Sequence, residues 1–350
     1  MNSSFQFNLG NSPFTLRTLM LILAFLGVLA IELSTQAQSN RPDYLKTTYV
    51  YKEAPGCKIH ADVYRLPGDD VRPAIFWIHG GALIGGDRNG IRKDQLDSYL
   101  EAGFAVVSID YRLAPETQLP EIIGDLKDAW KWLRGEAKRL KIDRDRVAVV
   151  GHSAGGYLTL MSGFCLSPRP RALVSFYGYG DIAGDWYSKP DPYYSKQPAV
   201  SKEEAFRVVT VGPPTPNSGG VKAISENGSG DRFRFYLYCR QNGLWPQKVA
   251  GFDPDKEPRK FDPYCPVRNV TIKYPPTLLL HADQDTDVPY IQSVQMAAEL
   301  KKQHVEHDLI TITGGGHGFD GARKRDAKVA AAFDRVLAFL KLYLLSSAPR

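Results

Sequence analysis

The sequence predicts an α/β protein built on a doubly wound, mostly parallel sheet. From residue 45 onward, short apolar runs alternate with longer segments in which apolar residues recur at helical spacing. The middle runs are almost continuously Val, Ile, Phe or Leu, which is typical of strands buried on both faces of a parallel sheet. An alternation of strands and helices of this kind places helices on both faces of one sheet.

Eight apolar runs predict the strands. They are Thr47–Lys52, Lys58–Tyr64, Ala74–Ile78, Ala105–Ile109, Val147–Val150, Ala172–Phe176, Thr277–Leu280 and Leu309–Thr313. Helical periodicity predicts helices at about 91–101, 119–139, 155–166, 290–303 and 322–344. In the last segment Val329, Phe333, Val336 and Leu340 lie three or four residues apart, which predicts one apolar face.

One region, between about residues 178 and 276, interrupts this alternation. It is rich in Tyr, Pro, Gly and Asp. Because a structureless loop of this length is implausible inside a compact domain, the region predicts an insertion with a few short helices, the best candidate being Ser201–Val209. We therefore expect one domain over residues 38–350, with this insertion within it.

The N-terminus carries a separate signal. Leu19–Ile31 is an unbroken apolar run of 13 residues preceded by Arg17, whereas a membrane-spanning helix needs roughly 20. Small residues around Ala37 follow the run, so residues 1–37 predict a secretory signal that is cleaved after Ala37. A secreted or periplasmic protein without stable membrane insertion is then expected; the alternative is an uncleaved N-terminal anchor.

Composition and cysteine content argue against nucleic-acid binding and against a metal or cofactor site. The 350 residues are 43% hydrophobic, and the net charge of +6 is spread thinly, with no run of Lys and Arg interleaved with aromatic residues. Nucleic acid is therefore not an expected partner. The sequence has no CxxC motif or His/Cys cluster, so neither a metal nor another cofactor is expected. Cys239 and Cys265 both lie in the insertion and are the most plausible disulfide pair, whereas Cys165 is expected to be a buried thiol.

The strongest motif is Gly151-His152-Ser153-Ala154-Gly155-Gly156, which lies between a predicted strand and a predicted helix. This is the GxSxG arrangement in which a strained turn exposes a nucleophilic serine. Gly151 and Gly155 avoid clashes where the turn approaches other backbone. The helix that follows directs its free N–H groups toward the reacting centre. Ser153 is therefore the predicted nucleophile.

A serine hydroxyl needs a base, and His317 is the best of the seven histidines. It lies in the glycine-rich segment 314–319, directly after the last predicted strand. Such a loop can carry an imidazole over the carboxyl end of a parallel sheet, which is where such sheets hold their sites.

The third member of a triad should follow the penultimate strand, where three carboxylates occur. Spacing favours Asp285, three residues before Val288. Asp283 is interpreted as a turn-former and Asp287 as a partly exposed companion, but the residues alone leave all three open.

An oxyanion needs backbone donors, and His79-Gly80-Gly81-Ala82 follows a predicted strand at a suitable place. The N–H groups of Gly80 and Gly81, together with that of Ala154, are the predicted oxyanion hole.

Five motifs in order resemble the esterase/lipase group, more narrowly the alpha/beta hydrolase fold-3 and hormone-sensitive-lipase-like carboxylesterases, which overlap with acetyl and feruloyl esterases. The motifs are HGG at 79–81, DYRLAPE at 110–116, GHSAGG at 151–156, DxDVP at 285–289 and GGGHGF at 314–319. The resemblance covers about residues 55–180 and 275–345. It implies the α/β-hydrolase fold, the triad Ser153, Asp285 and His317, the oxyanion donors Gly80, Gly81 and Ala154, and a structural role for DYRLAPE in which Arg112 pairs with a neighbouring carboxylate.

The sequence departs from that family at two places. Ala82 stands where a third glycine is common, and Leu83 stands where an aromatic residue is common. The insertion is also longer than a typical connection, at a position that usually forms part of a lid over the site.

The leading hypothesis is an exported carboxylesterase acting on a small-molecule or carbohydrate ester without a cofactor. One alternative is a peptidase of the prolyl-oligopeptidase type, disfavoured because the residues before the third strand leave no room for a propeller domain. Another is a binding protein that kept the fold and lost catalysis.

Overall fold

The computed structural model describes residues 43–207, 209 and 231–346, which contain one eight-stranded sheet in the order β1-β2-β4-β3-β5-β6-β7-β8. The strands are β1 (Leu45–Ala54), β2 (Cys57–Arg65), β3 (Arg72–Ile78), β4 (Ala105–Ile109), β5 (Ile142–His152), β6 (Leu173–Phe176), β7 (Thr277–Ala282) and β8 (His307–Ile312). The β1–β2 and β2–β4 pairs are antiparallel, and every other pair is parallel. The predicted fold class is confirmed.

Helices connect the parallel strands. They are α1 (Lys93–Glu101), α2 (Leu119–Leu140), α3 (Ala154–Cys165), α4 (Asp185–Ser188), α5 (Lys202–Phe206), α6 (Asp231–Asn242), α7 (Trp245–Ala250), α8 (Ile291–Lys302) and α9 (Ala327–Leu344). The last helix begins later than predicted because Phe319–Ala322 forms a separate 3-10 turn, after which the Asp326 side chain caps the backbone N–H groups of Lys328 and Val329. Among the described helices, none has the length and apolar composition that crossing a bilayer requires.

The central strands are buried on both faces, as the unbroken apolar runs predict. Along β3, Phe76 and Ile78 pack into one apolar cluster, whereas Ile75 and Trp77 pack into a second. Because successive side chains of a strand point to opposite faces, each cluster lies between the sheet and one layer of helices. This packing presents the carboxyl ends of the parallel strands at one common edge.

The segment between β6 and β7 contains the short helices predicted for the insertion. The candidate at Ser201–Val209 forms the shorter helix α5, which begins after Ser201 because its hydroxyl accepts the N–H of Glu204. Residues 210–230, with the Pro/Gly-rich run, and the predicted signal peptide at 1–37 lie outside the described residues.

The expected bridge between Cys239 and Cys265 is wrong. All four cysteines are free thiols. Cys239 is buried in α6, and the Cys265 thiol contacts Asp181 Oδ1 at 3.4 Å, so each sulfur lies in its own environment. Cys165, expected to be buried, is partly exposed.

Candidate active site

Ser153 occupies a sharp turn between β5 and α3. Its backbone lies at φ +55° and ψ −119°, a strained conformation for a residue with a side chain. A Cβ on Gly151 would lie 2.2 Å from the Gly155 carbonyl oxygen, and one on Gly155 would lie 2.1 Å from the Ile78 carbonyl oxygen. The two glycines are therefore required for this turn to pack against β3.

The structure brings the three predicted triad residues together. His317 Nε2 lies 3.0 Å from Ser153 Oγ, and His317 Nδ1 lies 2.8 Å from Asp285 Oδ2. The three side chains come from the loops after β8, β5 and β7, at the carboxyl edge of the sheet. This arrangement allows a proton to pass from the serine to an imidazole whose other nitrogen is held by a carboxylate.

Among the three carboxylates of the loop after β7, Asp285 is the one that contacts Nδ1. Its side chain is buried, and Oδ1 accepts the backbone N–H groups of Asp287 and Val288. Asp283 instead accepts the N–H of Gly314, as a turn-forming residue would.

A second histidine contacts the same carboxylate. His281 Nε2 lies 3.2 Å from Asp285 Oδ2 and 2.9 Å from the Val288 carbonyl oxygen, while Nδ1 contacts the Ser293 hydroxyl. Burial alone would raise the pKa of Asp285, but the hydrogen bonds from His281 and His317 hold that pKa well below its ordinary value. The carboxylate therefore stays ionised beside the imidazole.

The environment of His317 favours its charged form. Burial lowers the pKa of this imidazole, but the charge of Asp287, the hydrogen bond and charge of Asp285, and the charge of Asp320 together raise it above the ordinary value of 6.5. An imidazolium formed during a reaction is thus stabilised from several sides.

The segment after β3 lies against the serine turn, where the oxyanion donors are predicted. A Cβ on Gly80 would lie 2.8 Å from the His152 carbonyl oxygen and 3.3 Å from Ser153 Cβ. Gly81 has a φ of +104°. Ala154 is the first residue of α3, where a backbone N–H has no acceptor within the helix. Gly80 and Ala154 therefore lie next to Ser153, and Gly81 lines the same cleft.

The two residues that depart from the family pattern both adopt left-handed backbone. Ala82 has φ +55° and Leu83 has φ +59°, and both are buried. The Trp245 indole from the insertion donates to the Ala82 carbonyl oxygen at 3.0 Å, which fixes this turn. Alanine can adopt this conformation at a modest energetic cost, so the loop keeps its path without the third glycine.

The DYRLAPE segment forms ion pairs that hold the scaffold, as its predicted structural role requires. Arg112 contacts Asp125 of α2 through two nitrogens at 2.8 Å each. Asp110 pairs with Arg88, and Glu116 pairs with Arg232 of α6.

A cleft of about 500 Å³ opens at Ser153 and His317. Its lining includes Tyr194, Phe233 and Tyr236, all from the insertion. It also includes polar residues, among them Asp87, Arg92, His152 and Asp320. The insertion thus contributes aromatic side chains to the site.

Sequence reasoning missed Asp320 at this cleft, and it missed the partners of Asp287. Asp320 is buried and accepts hydrogen bonds from Arg92, Gln95 and Tyr177. Asp287 is joined to Tyr194, Tyr236 and Arg240 of the insertion. For the partners of Asp287, the signal in the sequence was an arginine at the end of the aromatic run FRFYLYCR.

Within the described residues, no group of three or more His, Cys, Asp or Glu side chains is arranged to hold a metal ion.

Two family models match parts of the chain. The model described as BD-FAE matches residues 61–169, and that of the prolyl oligopeptidase family matches residues 223–347. The first match contains the predicted nucleophile and oxyanion loop, and the second contains the predicted acid and base.

Curated relatives are much longer than this chain. The non-reducing polyketide synthase pkbA of Emericella nidulans is 28% identical over 94% of the chain, but the match spans 15% of that synthase.

Solved structures share the fold at low identity. Carboxyl esterase 2 of Tuber melanosporum has a TM-score of 0.62 at 22% identity, covering 87% of this chain and 89% of that one. The acetyl ester-xyloside bifunctional hydrolase of Caldicellulosiruptor lactoaceticus has a TM-score of 0.59 at 21% identity, covering 84% and 92%. Together with the sheet order and the serine turn, these similarities show that the chain has the α/β-hydrolase fold.

Proposed function

We propose that this protein is a serine carboxylesterase in which Ser153 is the nucleophile, His317 the general base and Asp285 its acidic partner. The observation that carries the proposal is the pair of contacts that His317 makes, 3.0 Å to Ser153 Oγ and 2.8 Å to Asp285 Oδ2. Both fall within the range required for proton transfer and for orientation of the base.

The proposed reaction proceeds in two steps. Ser153 Oγ attacks the ester carbonyl while its proton passes to His317 Nε2, and Asp285 stabilises the imidazolium. Backbone N–H groups of Gly80, Gly81 and Ala154 would stabilise the oxyanion, each contributing about a hundredfold or more in rate. The intermediate collapses as the imidazolium protonates the departing alcohol, and a water activated by His317 then hydrolyses the acyl-enzyme.

The cleft supports small acyl esters or esters of carbohydrates as substrates. Its volume of about 500 Å³ suits a small ligand. Tyrosine and phenylalanine side chains of the insertion, together with the carboxylates of the lining, offer both apolar contacts and hydrogen bonds to hydroxyl groups. The name of the acetyl ester-xyloside hydrolase that shares this fold agrees with such substrates. The lid role of the insertion and export after cleavage at Ala37 remain part of this proposal.

A fluorophosphonate probe and a small substrate panel test the proposal. We expect the wild type to be labelled and to hydrolyse short p-nitrophenyl esters or acetylated xylan, whereas Ser153→Ala does neither. Absence of labelling of the folded wild type would refute a serine hydrolase and favour a binding protein.

The same panel tests the peptidase alternative, which the match to the prolyl oligopeptidase model at residues 223–347 favours. Cleavage of a prolyl peptide without cleavage of any ester would replace the esterase proposal with this one.

A further inference from the structure

A second carboxylate faces the edge of the imidazole that contacts the serine. Asp287 Oδ2 lies 3.4 Å from His317 Nε2, the nitrogen that lies 3.0 Å from Ser153 Oγ. The Asp287 side chain is 19% exposed and lines the cleft. The imidazole is therefore placed between two carboxylates, with Asp285 at Nδ1 and Asp287 beside Nε2.

The insertion holds the other oxygen of Asp287. The hydroxyl of Tyr194 donates to Oδ1 at 2.9 Å, the hydroxyl of Tyr236 donates to the same oxygen, and Arg240 Nη1 lies 2.9 Å from it. Arg240 Nη1 also donates to the main-chain carbonyl oxygen of Asp287 at 3.0 Å. We call Tyr194, Tyr236 and Arg240 the acid-loop clamp.

Arg240 is a costly residue to place where it lies. Its side chain is 1% exposed, and its guanidinium lies 4.8 Å from the ring centres of Tyr187 and Tyr194. A buried guanidinium is tolerated only when it is paired, and here its ion-pair partners are Asp191 and Asp287. This pairing fixes the position of the Asp287 carboxylate against the base.

The effect of such a carboxylate depends on the protonation state of the imidazole. When His317 is neutral and accepts the serine proton, the Nε2 lone pair faces the negative Asp287, which is unfavourable. When His317 is protonated, Nε2 carries a hydrogen and the same contact becomes attractive. Donors on Oδ1 draw charge away from Oδ2 and keep the carboxylate in place, which moderates this attraction.

We propose that Asp287, held by the acid-loop clamp, is a positioning residue that makes His317 a stronger base. Through Asp287, the folded insertion thereby affects the basicity of His317. The effect of Asp287 on the imidazole is argued from the contacts alone. Its effect on turnover rests on the proposed esterase function.

The other groups around His317 are already accounted for. Asp285 contacts Nδ1, Asp320 and His152 line the same cleft, and the ring of Tyr177 packs edge-on with its centre 4.7 Å from that of the imidazole. Arg240 lies behind Asp287 and Arg92 behind Asp320. Burial lowers the pKa of His317, and Asp287 makes the largest contribution that raises it.

The direct test is an NMR titration of His317 in the folded protein labelled with ¹⁵N-histidine, with the resonance assigned by His317→Gln. Asp287→Asn keeps the shape of the side chain and removes its charge, so we expect the pKa of His317 to fall by about half to one unit. Tyr194→Phe removes one donor from Oδ1 and leaves more charge on the carboxylate, so we expect a shift in the opposite direction.

Two further variants separate this proposal from a structural role. Asp191→Asn removes the charge of the other partner of Arg240, which does not contact the imidazole. We expect it to shift the pKa of His317 by less than half as much as Asp287→Asn does. In the double variant Tyr194→Phe/Asp287→Asn, the effect of the tyrosine should vanish because it acts through Asp287. An unchanged His317 titration in Asp287→Asn, equal shifts in Asp287→Asn and Asp191→Asn, or shifts of the same sign in Tyr194→Phe and Asp287→Asn would overturn the proposal.

Activity measurements then show whether the coupling reaches the reaction. The acid limb of kcat/KM for p-nitrophenyl acetate should move with the His317 titration, and the plateau kcat of Asp287→Asn should fall about threefold to tenfold. If no variant, including the wild type, cleaves an ester while the titration shifts as expected, the esterase proposal fails and the role of Asp287 stands. If the enzyme is active and the pKa of His317 is the same in Asp287→Asn as in the wild type, the role of Asp287 fails and the esterase proposal stands.

Discussion

His317 contacts Ser153, Asp285 and Asp287 through its two ring nitrogens, so the protonation and tautomer of one side chain control the proposed chemistry. The contact at Nδ1 determines the tautomer, because a carboxylate there requires an N–H and leaves Nε2 free to accept the serine proton.

Asp285→Asn should therefore lower kcat by about 10⁴-fold with little change in fold. The new amide can donate to Nδ1, which places the hydrogen on Nε2 and blocks proton transfer from Ser153. The measurement is kcat for a p-nitrophenyl ester. Asp283→Asn is the matched control, since Asp283 lies on the same loop and accepts the N–H of Gly314. Equal losses in the two variants would argue against Asp285 as the partner of the base.

The pH dependence of activity should also follow from His317. Because its pKa is raised above 6.5 and the base must be neutral to act, half-maximal kcat/KM should lie above pH 6.5 and activity should increase toward alkaline pH. A kcat/KM profile on an uncharged ester measures this directly. An acid limb below pH 6 would mean that the base is solvated or lies elsewhere.

At the scale of elements, α6 connects the insertion to the hydrolase scaffold through two buried arginines. Arg240 pairs with Asp287, and Arg232 pairs with Glu116 where the side chains are 3% and 2% exposed. Arg232 also donates to the carbonyl oxygens of Ile84 and Ala114, so a single side chain holds the oxyanion loop and the DYRLAPE segment against the insertion.

Arg232→Met should lower the free energy of unfolding by about 3–5 kcal/mol, because it leaves the Glu116 carboxylate buried without this partner. Arg234→Met is the control on the same helix. Arg234 pairs with Glu204 at the surface, where the side chains are 56% and 35% exposed, and its loss should cost about 1 kcal/mol or less. Chemical denaturation of both variants gives the comparison, and similar losses would mean that α6 is not anchored through Arg232.

At the scale of the whole molecule, Asp320 joins parts of the chain that are far apart in sequence. Its carboxylate accepts Arg92 Nε at 2.9 Å, Gln95 Nε2 at 2.8 Å and Tyr177 Oη at 2.6 Å. The loop that carries His317 is thereby tied to α1 and to the end of β6. Burial alone would raise the pKa of Asp320, but His152, Arg92 and Tyr177 hold it below 3.8.

Asp320 should therefore contribute to the acid sensitivity of the fold. A carboxyl group whose pKa is lower in the folded state stabilises the fold above its unfolded pKa, and this contribution is lost as the pH falls through the folded value. We expect the free energy of unfolding of the wild type to decrease below about pH 4 more steeply than that of Asp320→Asn. The exposed Asp334→Asn is the surface control and should follow the wild type. Parallel wild-type and Asp320→Asn curves in denaturant titrations from pH 7 to pH 3 would contradict this assignment.

The strands and the positions of Ser153 and His317 were accessible from the sequence because their signals are local. Runs such as Ala105–Ile109 are apolar on both faces and are found as buried strands in the structure. Ser153 lies in a turn where Gly151 and Gly155 have steric reasons to be glycine, and His317 lies in a loop that follows the last strand. Periodicity and turn chemistry depend on residues that are neighbours in the sequence. A parallel sheet then brings the loops at the carboxyl ends of its strands together.

The sequence by itself determined the class of sheet, the serine turn and the short group of residues from which the proposed acid and base come. Only the tertiary structure decided the surroundings of that base: that Asp287 faces Nε2, that the insertion holds it through Arg240, and that Cys239 and Cys265 are free. Asp320 and Arg92 are 228 positions apart, and Arg240 and Asp287 are 47 apart. Ion pairs between residues so far apart leave no periodic pattern in the sequence. They depend on how the helices and strands pack against one another, not on how each helix or strand forms.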